Sequence, residues 1–480
     1  MKSKGIPTSV KTRIAPSPTG APHIGTAYAA LFNWALAQKN KGKFLLRIED
    51  TDQSRIVKGA KDQISEALKW LGLNWDEGPI LQSQRLPIYK KHAEKLVAED
   101  KAYYCFCSSS RLEQVRKSAQ KKGLPPKYDG RCRALDPKEA KKRTKSDKFV
   151  IRLKVPHEGE SVFNDLIRGE VRFKNELIND QVLIKSDGFP TYHLAVVVDD
   201  YLMGVTHVLR GEEWISSTPK HVLLYQAFGW ELPKFAHLPI LRETDKSKLS
   251  KRHGSVGILE FKEKGYLPEA LLNFLALLGW SHPKEKEIFD LDEFVKNFDV
   301  SRVSTSAPVF DRGKLDWMNG EYIRKLPDDE LARRIAEYLK KYRGVEADLS
   351  VISKAVPIVK ERIKNLGDFD SLAGFFFTDV AWTKETLLGK RDSSKSASEK
   401  LITITEEYEK QKTWDAGKME KFTRYLAEEK GWEVPNLFML LRIAVTGQEV
   451  SPPLFESMEV LGRERTISRL NGALSVIRRN

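Results

Sequence analysis

Cysteine is scarce: Cys105, Cys107 and Cys132 are the only three in 480 residues. An odd, small number is poor material for a disulfide framework and points to a reducing compartment. No apolar run reaches the ~18 residues that a membrane span needs, and there is no internal repeat or long low-complexity tract. The opening residues, MKSKGIPTSVKTRIAP, lack the apolar core of an export signal. A cytoplasmic chain without membrane attachment is therefore expected. Acidic charge is the minority, with 66 Asp and Glu against 81 Lys and Arg, for a net charge of +15. Such a chain meets a polyanion, nucleic acid first of all, or is simply kept soluble by its charge; charge alone does not separate the two. What is present suits a folded protein, with 41% apolar and 10% aromatic residues. The length exceeds what one core holds, so two to four domains are expected.

The first stretch alternates strand and helix signals. KTRIAPSP begins as a short strand and breaks at proline. From about Thr26 to Gln38, Tyr28, Leu31, Phe32, Ala35 and Leu36 recur at helical spacing. KFLLRIED (43–50) reads as a buried strand ending in acids. Residues 60–71 read as an amphipathic helix with Ile64, Ala67, Leu68 and Leu71 on one face. This order predicts a βαβ unit and a parallel sheet. Between Arg111 and Lys148 the character changes, with 14 Lys and Arg against 5 Asp and Glu. The strand-rich KFVIRLKVP and VRFKNELINDQVLIKSDGFP follow, so 90–183 is read as an insertion into the sheet domain. Residues 190–214 return to buried-strand character, and 218–230 are helical. From about Asp328 the chain reads as almost all helix. LPDDELARRIAEYLKKY (326–342) opens with acids and closes with lysines, as the helix dipole favours. The polar, Lys/Ser-rich 384–400 reads as a linker between two helical units.

Two stretches suggest chemistry. APSPTGAPHIGT (15–26) packs three prolines and two glycines around His23. A glycine-bearing turn entering a helix N-terminus can cradle an anion with backbone N–H groups, and a ring N–H of His23 could reach a phosphate oxygen. Gly25 lets backbone and ligand approach closely. Alone, the stretch reads equally well as a turn with a helix cap. DKSKLSKRHG (245–254) is a basic loop carrying Lys248, Lys251 and Arg252; alone it reads as a solvated charge run. The two flank one predicted α/β domain, and both suit a polyphosphate.

Together these stretches resemble the HIGH and KMSKS signatures of class I aminoacyl-tRNA synthetases, here His23–Ile24–Gly25–Thr26 and Lys248–Leu249–Ser250–Lys251–Arg252. Thr26 stands in place of a second His, as is familiar in the glutamyl branch. TRIAPSPTG, RIEDTD (47–52), SDGFPTYHLAVVVDD (186–200), RGEEW (210–214) and PVFDRGKLDWMNG (308–320) also resemble that branch. By them the chain is identified as a member of the bacterial glutamyl-tRNA synthetase family. The implied fold is an α/β Rossmann-like catalytic core with an inserted α+β domain, followed by an all-α C-terminal anticodon-binding region. The implied division is a catalytic domain at 1–89 and 184–231, an inserted acceptor-binding domain at 90–183, a stem-contact region carrying the KLSKR loop at 232–327, and helical anticodon-binding domains at 328–385 and 386–480.

The resemblance implies ligation of L-glutamate to tRNA-Glu through glutamyl-adenylate, with AMP and diphosphate as products. Whether tRNA-Gln is charged as well is left open. Neither step needs a protein nucleophile, so positioning and charge stabilisation carry the chemistry. His23, Lys248 and Lys251 take the catalytic roles at the phosphates, with Mg2+ sharing the triphosphate charge. ATP is expected at Pro16, Ser17, Gly20, His23, Gly25, Thr26, Glu213, Trp214, Lys248, Ser250, Lys251 and Arg252. Glutamate is expected at Arg13, Ser17, Glu49, Tyr192 and Arg210, since a guanidinium fork suits carboxylates and an acid suits the ammonium. Val196 stands where some members carry an amide beside the substrate, which leaves the α-carboxylate contacts open. Arg362 matches a helix position used at the third anticodon base, and the basic insertion suits acceptor-stem phosphates. The cysteines resemble a zinc knob, but its fourth ligand position is Ala134, with Asp136 a conceivable substitute; no bound zinc is expected. A monomer is expected. A glutaminyl-tRNA synthetase would carry a β-barrel beyond residue 330, a truncated paralogue would lack that region, and a plain RNA-binding protein would not need His23, Lys251, Arg13 and Glu49 together.

Overall fold

The structure is a computed structural model that describes residues 9–123, 127–247, 249, 256–389 and 392–479. The chain divides into two compact units, Met1–Phe261 with Leu271–Asp311, and Lys262–Ala270 with Arg312–Asn480.

In the first unit the elements run β1 (Lys11–Ile14), α1 (Ile24–Lys39), β2 (Lys43–Ile48), α2 (Ala60–Trp70), β3 (Glu77–Leu81), α3 (Leu86–Ala98), β4 (Ala102–Cys105), α4 (Ser109–Lys121) and α5 (Pro137–Arg143). They continue with β5 (Val150–Leu153), β6 (Glu160–Asp165), β7 (Gly169–Lys174), β8 (Val182–Ile184), α6 (Tyr192–Leu202), β9 (His207–Gly211), α7 (Thr218–Phe228) and β10 (Lys234–Leu238). β1, β2 and β3 form a parallel sheet in that order. The apolar residues of β2, Phe44 to Leu46 and Ile48, are buried, as a strand covered on both faces requires. A second sheet has the order β7-β6-β10-β9, with β10 parallel to both its neighbours. It draws strands from both sides of the expected border at residue 183. β4, β5 and β8 make a separate antiparallel sheet.

Thr206, at the foot of β9, joins the two sheets that hold parallel strands: its N–H donates to Lys11 O (2.9 Å), and Lys11 N–H donates to its Oγ1 (2.8 Å). β1 leads through α1 to β2 on one side, and β9 leads through α7 to β10 on the other. Strand order reverses between β1 and β9, which is where an α/β sheet opens a crevice beyond its strand ends. Fully buried Asn33 of α1 ties the junction, its Nδ2 donating to Leu209 O at 3.0 Å.

LAVVVDD (194–200) is helical, within α6, and not strand. Its β-branched run is buried on every side, so it shows no helical stripe, and length alone could not separate a buried strand from a buried helix.

The second unit is helical throughout its described residues. Asp328–Arg343 carries three acids in its first turn and three bases in its last, and stops at Gly344 in the left-handed region (φ +67°). The expected linker at 384–400 holds the helices Lys384–Leu388 and Ser394–Lys410 instead. Few side chains there turn inward, Leu387, Ala397 and Lys400 among them. Lys400 is buried through an ion pair with Asp392 (2.7 Å), so composition concealed the packing.

Candidate active site

A cleft of about 940 Å³ opens at the carboxyl ends of β1, β2 and β9. It is lined by Arg13, Pro16, Ser17, His23, Gly25, Thr26, Glu49, Tyr192, Arg210, Glu213 and Trp214, which come from loops, strands, α1 and α6 far apart in sequence. Gly20 and Val196 are not among the lining residues; Val196 is buried in the apolar core around α6. Lys248, Ser250, Lys251 and Arg252 lie outside the described residues. Leu249 lines the cleft, and the Ile24 N–H donates to Val256 O at 2.7 Å.

At the His23 end the structure revises the anion-cradle reading. The first amides of α1 are already engaged: Ile24 N–H by Val256 O, Gly25 N–H by His23 Nδ1 (3.0 Å) and Thr26 N–H by His23 O (2.7 Å). Because Nδ1 accepts, the proton of the neutral ring is on Nε2. The cap offers an imidazole N–H and the field of the helix rather than bare backbone donors. A Cβ at Gly25 would lie 3.2 Å from His23 Nδ1, a tight contact that glycine avoids.

Deeper in the cleft, four buried charges interlock. Asp200 receives Arg13 Nε (3.2 Å) and Arg47 Nη1 (2.7 Å), and Arg47 Nη2 donates to Glu49 (3.1 Å). Arg47 is 0% exposed. Burial works against the Asp200 charge, yet Arg13 and Arg47 hold its carboxyl below the ordinary range. For Glu49 burial wins, and its carboxyl sits above the ordinary range despite Arg47 and Arg13. The four charges sum to zero.

Arg210 is held differently. Its guanidinium donates to His237 Nε2 (3.2 Å), Tyr192 Oη (3.2 Å), His221 Nδ1 (3.2 Å) and Thr218 Oγ1 (2.8 Å). Every one of these acceptors is uncharged. Burial holds His221 far below its ordinary value, with Arg210 adding to the effect, so it stays neutral. The Tyr192 ring lies against Trp214, tilted by 34°, with ring centroids 4.3 Å apart. The Glu213 carboxylate folds over Gly211, where a Cβ would lie 2.1 Å from Oε2.

Residues 9–317 match the family model described as the catalytic domain of class I tRNA synthetases (E and Q), and 330–474 match that of an anticodon binding domain. Glutamate–tRNA ligases of Dehalococcoides mccartyi and Acidothermus cellulolyticus are each 46% identical to the chain. The first alignment covers 97% of both chains, the second 98% of this chain and 96% of the relative. The chain belongs to the glutamate–tRNA ligase family. A crystal structure of a glutamate tRNA ligase from Elizabethkingia meningosepticum, in complex with its amino acid, matches with a TM-score of 0.85 at 34% identity. That match spans 98% of this chain and 100% of the other. The class I, Rossmann-like core and the helical anticodon-binding part expected from the sequence are thus present in this family member.

Arg47, Asp200, Thr218, His221 and His237 escaped the sequence reading. The signal available for Asp200 was an acid pair, Asp199–Asp200, inside an apolar run. In the ligase's helical unit, Arg362 lies in the turn after the helix Leu349–Val359, not on a helix, its N–H closing back on Val359 O (2.8 Å). Arg362 Nη1 donates to Ser451 O (2.8 Å), and Arg442 Nη1 donates to Ser451 Oγ (2.6 Å). Burial lowers Arg442 from its ordinary value, and the Arg362 charge adds to this. The ligand atoms of Cys105, Cys107 and Cys132 lie within 4.8 Å of one another. Tyr128 Oη lies 3.4 Å from both Cys105 Sγ and Cys107 Sγ. Asp136 caps α5 with its carboxylate, accepting from Lys138 and Glu139 N–H at 2.9 Å.

Proposed function

We propose that the chain ligates L-glutamate to tRNA-Glu in two steps, through glutamyl-adenylate, in the cleft between β1 and β9. The observation that carries this reading is the charge balance around Arg210. The network of Arg13, Arg47, Glu49 and Asp200 is neutral, and Arg210 has no ion-pair partner among the described residues. A ligand of net charge −1 completes the site. Glutamate brings an ammonium and two carboxylates, whereas glutamine, net neutral, would leave Arg210 uncompensated in a buried place.

In this reading Arg210 and the Tyr192 hydroxyl take the side-chain carboxylate. Arg210 donates to Tyr192 Oη, which leaves the phenol proton for the substrate. Glu49 and Ser17 take the ammonium, whose charge favours ionisation of the elevated Glu49 carboxyl. Arg13 helps to hold the α-carboxylate near the α-phosphate. ATP, as its Mg2+ complex, is bound by Pro16, Ser17, Gly20, Gly25, Thr26, Glu213 and Trp214, and Lys248, Ser250, Lys251 and Arg252 take its phosphates. An α-carboxylate oxygen attacks the α-phosphorus, the bond to the bridging oxygen breaks, and diphosphate leaves. His23 Nε2–H and the two lysines stabilise the charge that grows on the phosphates, which is the main source of acceleration when no protein nucleophile takes part. The 2′-OH of the tRNA's terminal ribose then attacks the acyl carbon and AMP leaves.

The paired Arg362 and Arg442 around Ser451 support an anticodon contact in the helical unit. Three free thiols suit the cytoplasm, and a monomer supplies every named group. Sγ of Cys105, Cys107 and Cys132 would supply three of the four ligands of a tetrahedral ion such as zinc, which would add no chemistry to the reaction. The test is ATP–pyrophosphate exchange with and without tRNA. Exchange that depends on glutamate and not on glutamine is expected; no glutamate-dependent exchange in either condition would overturn the reading.

A further inference from the structure

Arg210 is held from behind by the ends of two further parallel strands. Register sets His237 of β10 opposite Arg210 of β9, and Asp165 closes β6 on the far side of β10. Arg210 Nε donates to His237 Nε2 (3.2 Å), and His237 Nδ1 lies 2.6 Å from Asp165 Oδ2. Both the His237 and the Asp165 side chains are 0% exposed, and neither lines the cleft. A guanidinium can only donate, so His237 Nε2 is unprotonated and the ring proton sits on Nδ1, given to Asp165. Burial keeps His237 below its ordinary value against the pull of Asp165, and His237 keeps Asp165 below the carboxylate range against burial. The pair is therefore a neutral imidazole on a carboxylate near neutral pH.

We propose that Asp165 and His237 are positioning residues for Arg210: Asp165 fixes the imidazole tautomer, and the Nε2 lone pair aims the guanidinium at the substrate's side-chain carboxylate. The inference rests on the assignment of Arg210 to that carboxylate. It adds a source of selectivity. An Arg210 aimed through a neutral ring keeps its full charge for an anionic side chain, whereas direct contact with Asp165 would cancel it.

Asp165→Asn tests the tautomer. Asp165 Oδ1 accepts from the N–H groups of Ile167 and Arg168, at 3.0 Å each, so an asparagine keeps its oxygen there and turns its NH2 toward His237. That NH2 donates to Nδ1 and drives the ring proton to Nε2, against the Arg210 N–H; a serine protease triad responds to the same change in the same way. The expected result is a glutamate KM raised by about 10- to 100-fold, the range of one hydrogen bond to a charged group, with the ATP KM unchanged. His237→Gln, which can present an oxygen to Arg210 and an N–H to Asp165, is expected to be milder. A merely structural role predicts the reverse order, because His237 packs on Phe235 and Phe163 and its loss would do more damage than an isosteric amide. Imidazole 15N shifts should report Nδ1–H in the wild type and Nε2–H in Asp165→Asn. An unchanged tautomer, an unchanged glutamate KM, or His237→Gln as severe as Asp165→Asn overturns the relay. An Arg210→Ala variant with normal glutamate KM would instead refute the assignment of Arg210, while the 15N shifts still decide the tautomer.

Discussion

His23 Nδ1 accepts from the Gly25 amide and so caps α1, which puts the ring proton on Nε2, the donor that the proposed reaction uses at the phosphates. The two roles can be separated. His23→Ala removes both, with a stability loss of about 1 kcal/mol for the cap and a fall in kcat of about 10²- to 10³-fold. His23→Asn keeps a cap acceptor but places nothing at the Nε2 position. Steady-state kinetics and thermal melts should find Asn restoring stability and not kcat, with the ATP KM little changed in both variants. Recovery of kcat in His23→Asn would show that the cap, not the imidazole donor, matters. His23, Arg13, Glu49, Tyr192 and Arg210 were legible in the sequence because each sits in a short string with a recognisable order. Asp165 and His237 were not, since 72 residues separate them and only strand register brings them together.

At the level of elements, alternation of strand and helix located β1, α1, β2 and α2 with little error. Failures came where burial hides periodicity, as in α6, or where a polar composition masks an inward face, as at Ser394–Lys410. The latter helix offers a direct test. Lys400 Nζ contacts both carboxylate oxygens of Asp392 (2.7 and 3.0 Å), and both side chains are more than nine-tenths buried. Removing one partner leaves a buried charge without compensation, which typically costs about 3–5 kcal/mol. Lys400→Ala should therefore lower the midpoint of urea unfolding sharply, whereas the double change to Lys400→Met and Asp392→Leu should recover much of it. A Lys400→Ala variant as stable as the wild type would mean that the pair is open to water.

For the whole molecule, composition indicated only a basic, multidomain chain; motif strings and then geometry supplied the function. Among the described residues Arg210 is a buried cation of the cleft without an ion-pair partner, and a neutral network lies beside it, the combination on which the proposed glutamate site rests. Arg362 and Arg442 meet at one loop of the helical unit and lack carboxylate partners among the described residues, a feature no single-residue reading of Arg362 revealed. The central claim is tested most directly by charging purified tRNA-Glu and tRNA-Gln with labelled glutamate or glutamine in the presence of ATP. Glutamate should be esterified to tRNA-Glu, no glutamine should be transferred to either tRNA, and Arg210→Ala should lose glutamate transfer through a raised KM. Glutamine transfer, or no glutamyl ester on tRNA-Glu from the wild-type chain, would contradict it.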